Sequence, residues 1–323
     1  MKAFDTWERV LLGLIVLMLA IVGLTVPGFF TPYALADSTV NFSEKGLLAL
    51  AMALLIVTGE IDLSIAATLA LSSLAMGLAK QHGAGMAGML AAAFTTGALC
   101  GALNGWLVTR FALPSIVVTI GTLSLYRGIA MVTLGDQAIT SYPEALSVLG
   151  NGTLGDVLGL PGLIVPIEFA LLVVCALGVG IMLHRSTLGR RIYAVGANPV
   201  ASRFSGIEVD RYRLRLFVFA GLMAALAAIL LTGRIGSTRP NIAMGWELDA
   251  VTMVILGGVA IEGGRGSIVG TMLAAVLLGT FTFALGMLNV SGIVMSMIVG
   301  ALLIVAMVLP RLWKRRGRVL AAA

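Results

Sequence analysis

The chain has 323 residues, of which 59% are hydrophobic and only 11% are charged, and its mean hydropathy is +1.05. Soluble domains carry about a quarter charged residues, so this composition excludes a soluble protein and indicates a polytopic membrane protein. The net charge of +6 is explained by the way membrane proteins distribute Lys and Arg, and a nucleic-acid partner is not needed.

Apolar windows long enough to cross a bilayer as a helix, about 20 residues, recur along the whole chain. We expect an all-α fold with about ten transmembrane helices in one membrane domain over 1–323. The first is read as a retained helix rather than a cleaved signal, because no small-residue cleavage site follows it. The predicted spans are 10–26, 45–59, 63–79, 86–108, 113–134, 163–183, 214–233, 247–261, 266–287 and 290–309.

The distribution of Lys and Arg orients these spans, since positively charged loops stay in the cytoplasm. With ten spans and a cytoplasmic N-terminus, most of the 21 cations fall on the cytoplasmic side, and the C-terminus is cytoplasmic too. The densest group lies in a polar loop over 184–213. A basic tail at 311–323 is typical of a stop-transfer and headgroup anchor.

Two carboxylates, Glu60 and Asp62, stand in the stretch GEIDLS between the second and third spans. Residues two apart point to different faces of a helix, so one continuous helix cannot hide both from lipid. A local unwinding at Gly59 facing protein or a watery cavity is the cheaper solution. The functional interpretation is a pathway or gating element; the structural one is a short turn in which Asp62 caps the next helix. The two interpretations are compatible.

The loop over 184–213 contains its own helix signals. Asn198 is a good N-cap, Pro199 suits the first turn, and Ser205-Gly206 is a natural C-terminal signal. A helix of about two turns held at the membrane surface is typical of a transporter that docks onto a soluble motor protein. The alternative is a basic loop resting on anionic lipid.

This loop, STLGRRIYAVGANPVASRFSGI, resembles the coupling segment of ribose-type (monosaccharide) ABC importer permeases, G-R-x-x-Y-A-x-G-x-N-x-x-A-A-R-x-S-G-I. Ser202 stands where a second alanine is usual. GEIDLSIA, LNGWLVTRFALPSIVVTIGTLSLYRGI, GWELDAVTMVILGG and EGGRGSIVGT resemble further family segments in the same order, so the resemblance covers nearly the whole chain. The matching coupling residues are Gly189, Arg190, Tyr193, Ala194, Gly196, Asn198, Ala201, Arg203, Ser205, Gly206 and Ile207.

The resemblance implies a bacterial inner-membrane permease that imports a sugar and docks an ABC ATPase through 189–207. The chain has no G-x-x-x-x-G-K-[ST] sequence, so ATP and Mg are expected on the partner ATPase, and no cofactor or metal on this chain. The other implied partners are a periplasmic sugar-binding protein and a second permease, identical or related. The segments 135–162 and 234–246 are the expected docking face for the binding protein.

Within the family, the sequence is most similar to the rhamnose branch and next to the autoinducer-2 branch. Glu60 replaces a family glycine, so no role for it is inherited. Candidate substrate-pathway residues are Glu60, Asp62, Asn104 and Arg127, although a snorkelling Arg127 is the plainer interpretation. The rival function is an ion-coupled secondary transporter using Glu60, Asp62 or Arg127. A membrane enzyme is disfavoured, because the two histidines lie far apart and no paired catalytic set accompanies them.

Overall fold

The computed structural model describes residues 6–160, 162–302 and 304, and within them the regular secondary structure is entirely α-helical. The all-α, polytopic fold predicted from the sequence is confirmed. The helices are α1 Thr6–Thr25, α2 Pro32–Val57, α3 Ile65–Gln81, α4 Met86–Arg110, α5 Ser115–Leu134, α6 Glu144–Asn151, α7 Leu154–Leu158, α8 Ile167–Arg185, α9 Thr187–Ala197, α10 Pro199–Phe204, α11 Val209–Ile235, α12 Trp246–Leu256, α13 Ile268–Met287 and α14 Gly292–Leu302.

Each of the ten predicted spans overlaps one of these helices, and the end of the last span, 290–309, lies outside the described residues. In the described part of the chain, seven helices are long and apolar enough to cross a membrane, namely α1, α2, α4, α5, α8, α11 and α13. The shorter α3, α12 and α14 account for the other three predicted spans. The count of ten spans and the cytoplasmic termini stay predictions, and the predicted basic tail at 311–323 lies outside the described residues.

Helix α2 begins well before the predicted span at 45–59. Thr31 caps it and Pro32 occupies its first turn, a strong start signal. The stretch 32–44 is too polar for its sequence to predict a membrane span. Within the structure several of its polar side chains are hydrogen-bonded; Asn41, for example, donates to the Gly279 carbonyl at 3.0 Å. The result is a helix of 26 residues, about 39 Å long.

The centre of the fold is the pair α2 and α11, whose apolar windows are 83% and 67% buried. Helix α4 lies against α11 along a small-residue contact. A Cβ atom on Gly101 would overlap the Phe217 carbonyl, and Gly97 and Gly221 face each other equally closely. Such spacing allows two membrane helices to approach backbone to backbone. α1, α4, α5 and α8 keep most of their apolar surface exposed, as lipid contact requires.

Helix α11 runs the length of the bundle and defines two ends. The end that carries α9 and α10 is here named the inner end, and the opposite end, with α6 and α7, the outer end. At the outer end the two expected docking segments meet: Ile139 and Thr238 exchange backbone hydrogen bonds of 3.0 and 2.8 Å, and the Tyr142 hydroxyl lies 2.7 Å from that of Thr238.

Two helix breaks lie at the inner end. Residues 58–64 separate α2 from α3, with Gly59 at φ +82°, so the predicted unwinding at this glycine is present. Residues 257–267 separate α12 from α13 and include Gly258, Gly263 and Gly264 at positive φ. Glycine adopts this backbone region without steric cost, which is why both breaks are glycine-rich.

A buried ion pair joins α2 to the outer end of α11. Glu44 is fully buried, and Arg234 donates to its two oxygens from Nε at 2.8 Å and Nη2 at 2.9 Å. Bidentate geometry makes this pair stronger and more directional than a single contact. It therefore fixes the rotation of α2 against α11.

Arg234→Gln is expected to destabilise the fold, because it leaves the Glu44 carboxylate buried without its cation. The cost is about 3–5 kcal/mol, the usual penalty for breaking a buried pair. Arg211→Gln removes an exposed pair with Glu208 and should change stability by less than about 1 kcal/mol. Thermal unfolding in detergent measures both; equal melting temperatures in the two variants would contradict the assignment.

Candidate functional site

The coupling segment folds as two short helices at the inner end. Ser186 caps α9, with its Oγ accepting from the Gly189 N–H at 3.1 Å, and Asn198 caps α10, with its Oδ1 accepting from the Ala201 N–H at 2.9 Å. The predicted helix after Asn198 is present as α10 and ends at the predicted Ser205–Gly206. Helix α9 was missed, although Ser186 before Leu188, Ile192 and Val195 is a start signal followed by helical spacing.

Helix α9 is inserted against both helix breaks. Gly196, near its C-terminus, lies so close to the Val57 carbonyl that a Cβ atom there would overlap it. The same carbonyl accepts a 2.8 Å hydrogen bond from the N–H of Gly264 in the second break. A Cβ atom on Gly263 would lie 3.0 Å from both the Gly59 nitrogen and the Gly196 oxygen. These residues, Val57, Gly59, Gly196, Gly263 and Gly264, are here named the break junction.

Tyr193 and His184 extend the junction to α8 and α13. The Tyr193 hydroxyl donates to the Gly266 carbonyl at 2.7 Å and lies 3.4 Å from His184 Nδ1. His184 Nε2 accepts from the Ile268 N–H at 3.3 Å. Burial raises the pKa of the Tyr193 phenol to about 12. The hydroxyl therefore stays a neutral donor at physiological pH, and its hydrogen bond to Gly266 links α9 to the segment that precedes α13.

Glu60 ties the first break to the start of α11. Its carboxylate lies 2.8 Å from Arg213 Nε, and the two side chains are only 8% and 20% exposed. Arg213 lies one turn into α11, just after the coupling segment. A carboxylate shielded from water and paired in this way is a link between two elements rather than an open ligand.

Asp62 and Asn104 come together behind the first break. Asp62 Oδ1 accepts from the Ser64 N–H at 2.9 Å and from Ser64 Oγ at 2.6 Å, and Asn104 donates to the same Oγ at 2.8 Å. Asp62 thus stabilises the turn before α3, close to the capping role predicted for it, although the N-cap is Ser64. Tyr126 donates to the Asn104 Oδ1 at 3.4 Å, which joins α5 to this network.

Arg127 lies apart from the other predicted pathway residues. Its Nη1 donates to the carbonyls of Pro240 and Ile242 at 3.0 and 2.8 Å, so it holds the connection between α11 and α12 at the outer end. The guanidinium is 8% exposed and does not snorkel to a surface. Of the four candidates, the structure therefore brings together only Asp62 and Asn104, with Glu60 on the same break.

The predicted coupling residues divide into a buried and an exposed group. Gly189 and Gly196 are buried and Tyr193 is half-buried, so these three face the bundle. Ala194 and Ile207 are half-buried as well. The other predicted residues are exposed: Arg190, Asn198, Ala201, Arg203, Ser205 and Gly206. Helix α10 also carries two exposed apolar side chains, Val200 at 61% and Phe204 at 89% exposed.

Comparison with known proteins identifies the family to which this chain belongs. Residues 34–307 match the family described as branched-chain amino acid transport system / permease component. The chain belongs to this permease family. The autoinducer 2 import system permease protein LsrD of Photorhabdus temperata is 34% identical over 308 residues, which cover 94% of this chain and 90% of that one. The protein of that name from Escherichia coli (strain K12) is 35% identical, with coverages of 94% and 91%.

The family membership confirms the sequence-based assignment to the permeases of ribose-type ABC importers, and with it a multi-pass location in the bacterial inner membrane. Several functional contacts were not predicted from the sequence. Arg213 as the partner of Glu60, and the approach of EGGRG to Gly196, connect positions far apart in the chain. The only available signal in the sequence was that both breaks, GEIDLS and EGGRG, place a glycine beside a glutamate.

Gly196→Val is expected to reduce uptake at least tenfold, because the new side chain overlaps the Val57 carbonyl and pushes α9 off the break junction. Gly178→Val is the matched control, since a Cβ atom there meets no other group within 4 Å. Uptake of the transported solute by cells, normalised to the amount of permease in the membrane, measures the effect. Normal uptake by Gly196→Val would show that the junction tolerates displacement.

Proposed function

We propose that the chain is the membrane subunit of an ABC importer that carries a monosaccharide, rhamnose-like or ribose-like, into the cytoplasm. ATP and Mg bind to a separate ATPase subunit, and a periplasmic sugar-binding protein delivers the solute. Two permease subunits, identical or related, form the path between them. The chain itself holds no cofactor.

The observation that carries this proposal is the unequal exposure of the coupling segment. Helix α9 lies against the break junction, whereas α10 projects Phe204 and Val200 into solvent with Arg203 beside them. A solvent-exposed aromatic side chain on a rigid, doubly capped hairpin is a good anchor for a partner pocket. The ATPase therefore docks on α10, and its motion is transmitted through α9.

The transmission step follows from the contacts of α9. A shift of α9 moves the Val57 carbonyl, its bond to Gly264 and the Tyr193–Gly266 contact together. The two breaks thus respond as one unit, and α3 and α13, which start from them, tilt relative to α2 and α12. Glycines at both breaks absorb the change in backbone angle. Hydrolysis and release of the ATPase return the breaks to the starting position.

The pathway residues take different roles in this mechanism. Asp62 and Asn104 set the shape of the first break beside the path, while Glu60 connects that break to α11. Arg127 holds the outer connection that faces the binding protein, together with the paired segments 135–162 and 234–246. Because Glu60 and Asp62 are both engaged within the protein, they are poor candidates for binding a coupling ion, as a secondary transporter requires.

A second candidate substrate is autoinducer-2. The curated relatives described above are named as autoinducer 2 import permeases, and this was the second branch expected from the sequence. Uptake by membrane vesicles supplied with each binding protein in turn separates the two. Rhamnose or ribose uptake without autoinducer-2 uptake supports the monosaccharide, and the reverse supports the signal molecule.

Phe204→Ser is expected to lower co-purification of the ATPase at least tenfold, because it removes the exposed anchor of α10. Phe111→Ser, at the end of α4 on the same side of the bundle, removes an exposed aromatic outside the coupling segment and should have no such effect. A tagged permease isolated in mild detergent, with quantitative mass spectrometry of its partners, gives the ratio. Equal recovery of ATPase by both variants would contradict docking on α10.

The Glu60–Arg213 link predicts a charge-swap rescue. Glu60→Arg or Arg213→Glu alone places like charges against each other in a shielded position and should uncouple ATP hydrolysis from uptake. The double variant restores opposite charges and should recover much of the lost coupling. Uptake per ATP hydrolysed, measured in proteoliposomes of the complete importer, is the readout. A double variant as defective as the sum of the singles would show that the pair carries no coupling.

A further inference from the structure

A groove lies between α2, α8 and α13, three helices that are long and apolar enough to cross a membrane. Its volume is about 450 Å³, and it is lined by apolar side chains including Phe42, Phe169, Leu177 and Met272. Among its lining residues only His184 and Arg185 are polar, and both lie at the inner end of α8. The groove is therefore apolar in the membrane interior and cationic at one membrane surface.

The groove has the dimensions of a lipid tail. From Leu177 to Arg185, α8 rises about 12 Å, close to the depth of one leaflet of a hydrocarbon core roughly 30 Å thick. Gly180 keeps the middle of this stretch open: a Cβ atom there would be in ordinary contact, 3.8 Å, with Ile268 alone. A larger side chain at this position would fill the channel between α8 and α13.

The inner end of the groove offers an uncommitted positive charge. Arg185 is exposed and forms no hydrogen bond or ion pair with any residue that the structure describes. It is followed directly by Ser186, the N-cap of α9, and a helix N-terminus favours negative charge. The nearby acid Glu8 accepts a hydrogen bond from Ser267, and His184 is held by Ile268 and Tyr193. Arg185 is thus the group left for an external anion.

We propose that this groove binds an anionic phospholipid, with one acyl chain between α8 and α13 and the phosphate against Arg185. Basic groups at the mouth of a groove between membrane helices are a recognised arrangement for lipid headgroups. The apolar lining and the single arginine at its inner end fit a lipid better than a second protein chain. Since His184 lies in the groove wall and contacts Tyr193 and Ile268, the bound lipid braces the helices next to the break junction.

The test is native mass spectrometry of the purified full chain with equal amounts of phosphatidylglycerol and phosphatidylcholine carrying the same acyl chains. We expect the wild type to retain phosphatidylglycerol about fivefold over phosphatidylcholine, the preference that one basic side chain confers at an anionic surface. Arg185→Gln should abolish this preference. Arg110→Gln, which removes an exposed arginine from the end of α4 outside the groove, should keep it.

A second pair of variants tests the groove itself without touching the charge. Gly180→Leu fills it and should lower retention of both lipids, while Gly178→Leu, two residues away where a Cβ atom meets nothing within 4 Å, should not. The proposal is overturned if the wild type shows no preference, if Arg185→Gln behaves like Arg110→Gln, or if Gly180→Leu retains lipid normally. Loss of pairing between permease chains in Gly180→Leu, with lipid retention intact, would overturn it in favour of a protein interface.

Discussion

The structure depends on how a membrane protein satisfies backbone groups where its helices break. Unpaired N–H and C=O groups are costly in lipid, so irregular backbone is tolerated only where protein or water covers it. Here the carbonyl that ends α2, that of Val57, accepts from Gly264 in the other break, and α9 closes over both. The two breaks therefore share a backbone hydrogen bond, and α9 packs closely over both, so the three segments depend on one another for their packing.

This packing suits the coupling role that we propose for α9 and α10. A coupling element resting on continuous helices would have to bend them, whereas α9 rests on backbone that is already non-helical. The glycines at the junction have no side chain to prevent close approach, and three of them, Gly59, Gly263 and Gly264, have positive φ values that other residues adopt only with strain. Close packing and freedom to move thus occur at the same few residues. The rest of the bundle, from the α4–α11 contact to the Glu44–Arg234 pair, supplies a rigid body against which the breaks can shift.

Charged residues inside the bundle differ in their contacts from those at its inner end. Three buried carboxylates occur in pairs or networks: Glu44 with Arg234, Glu60 with Arg213, and Asp62 with Ser64 and Asn104. A fourth, Glu168 on α8, is buried with neither oxygen hydrogen-bonded in the described part of the chain. The exposed arginines gather at the inner end, on and around α9 and α10. The paired charges therefore act as internal links, and the exposed charges at the inner end are accessible to the partners and lipid headgroups proposed above. Glu60, which stands where the resembling family segment has a glycine, adds one link to this arrangement.

The sequence by itself determined the class of the protein, the positions of the ten apolar segments, the unwinding at Gly59 and the start and end of α10. Each follows from local physics: hydropathy over a bilayer's thickness, glycine's backbone freedom, and the capping of free N–H groups by Asn198. It also carried the family resemblance. What it could not reveal was which distant residues meet. The partner of Glu60, the separation of Arg127 from Asp62, and the closure of α9 over two breaks depend on the packing of helices far apart in the chain, a long-range property that only the tertiary structure decides.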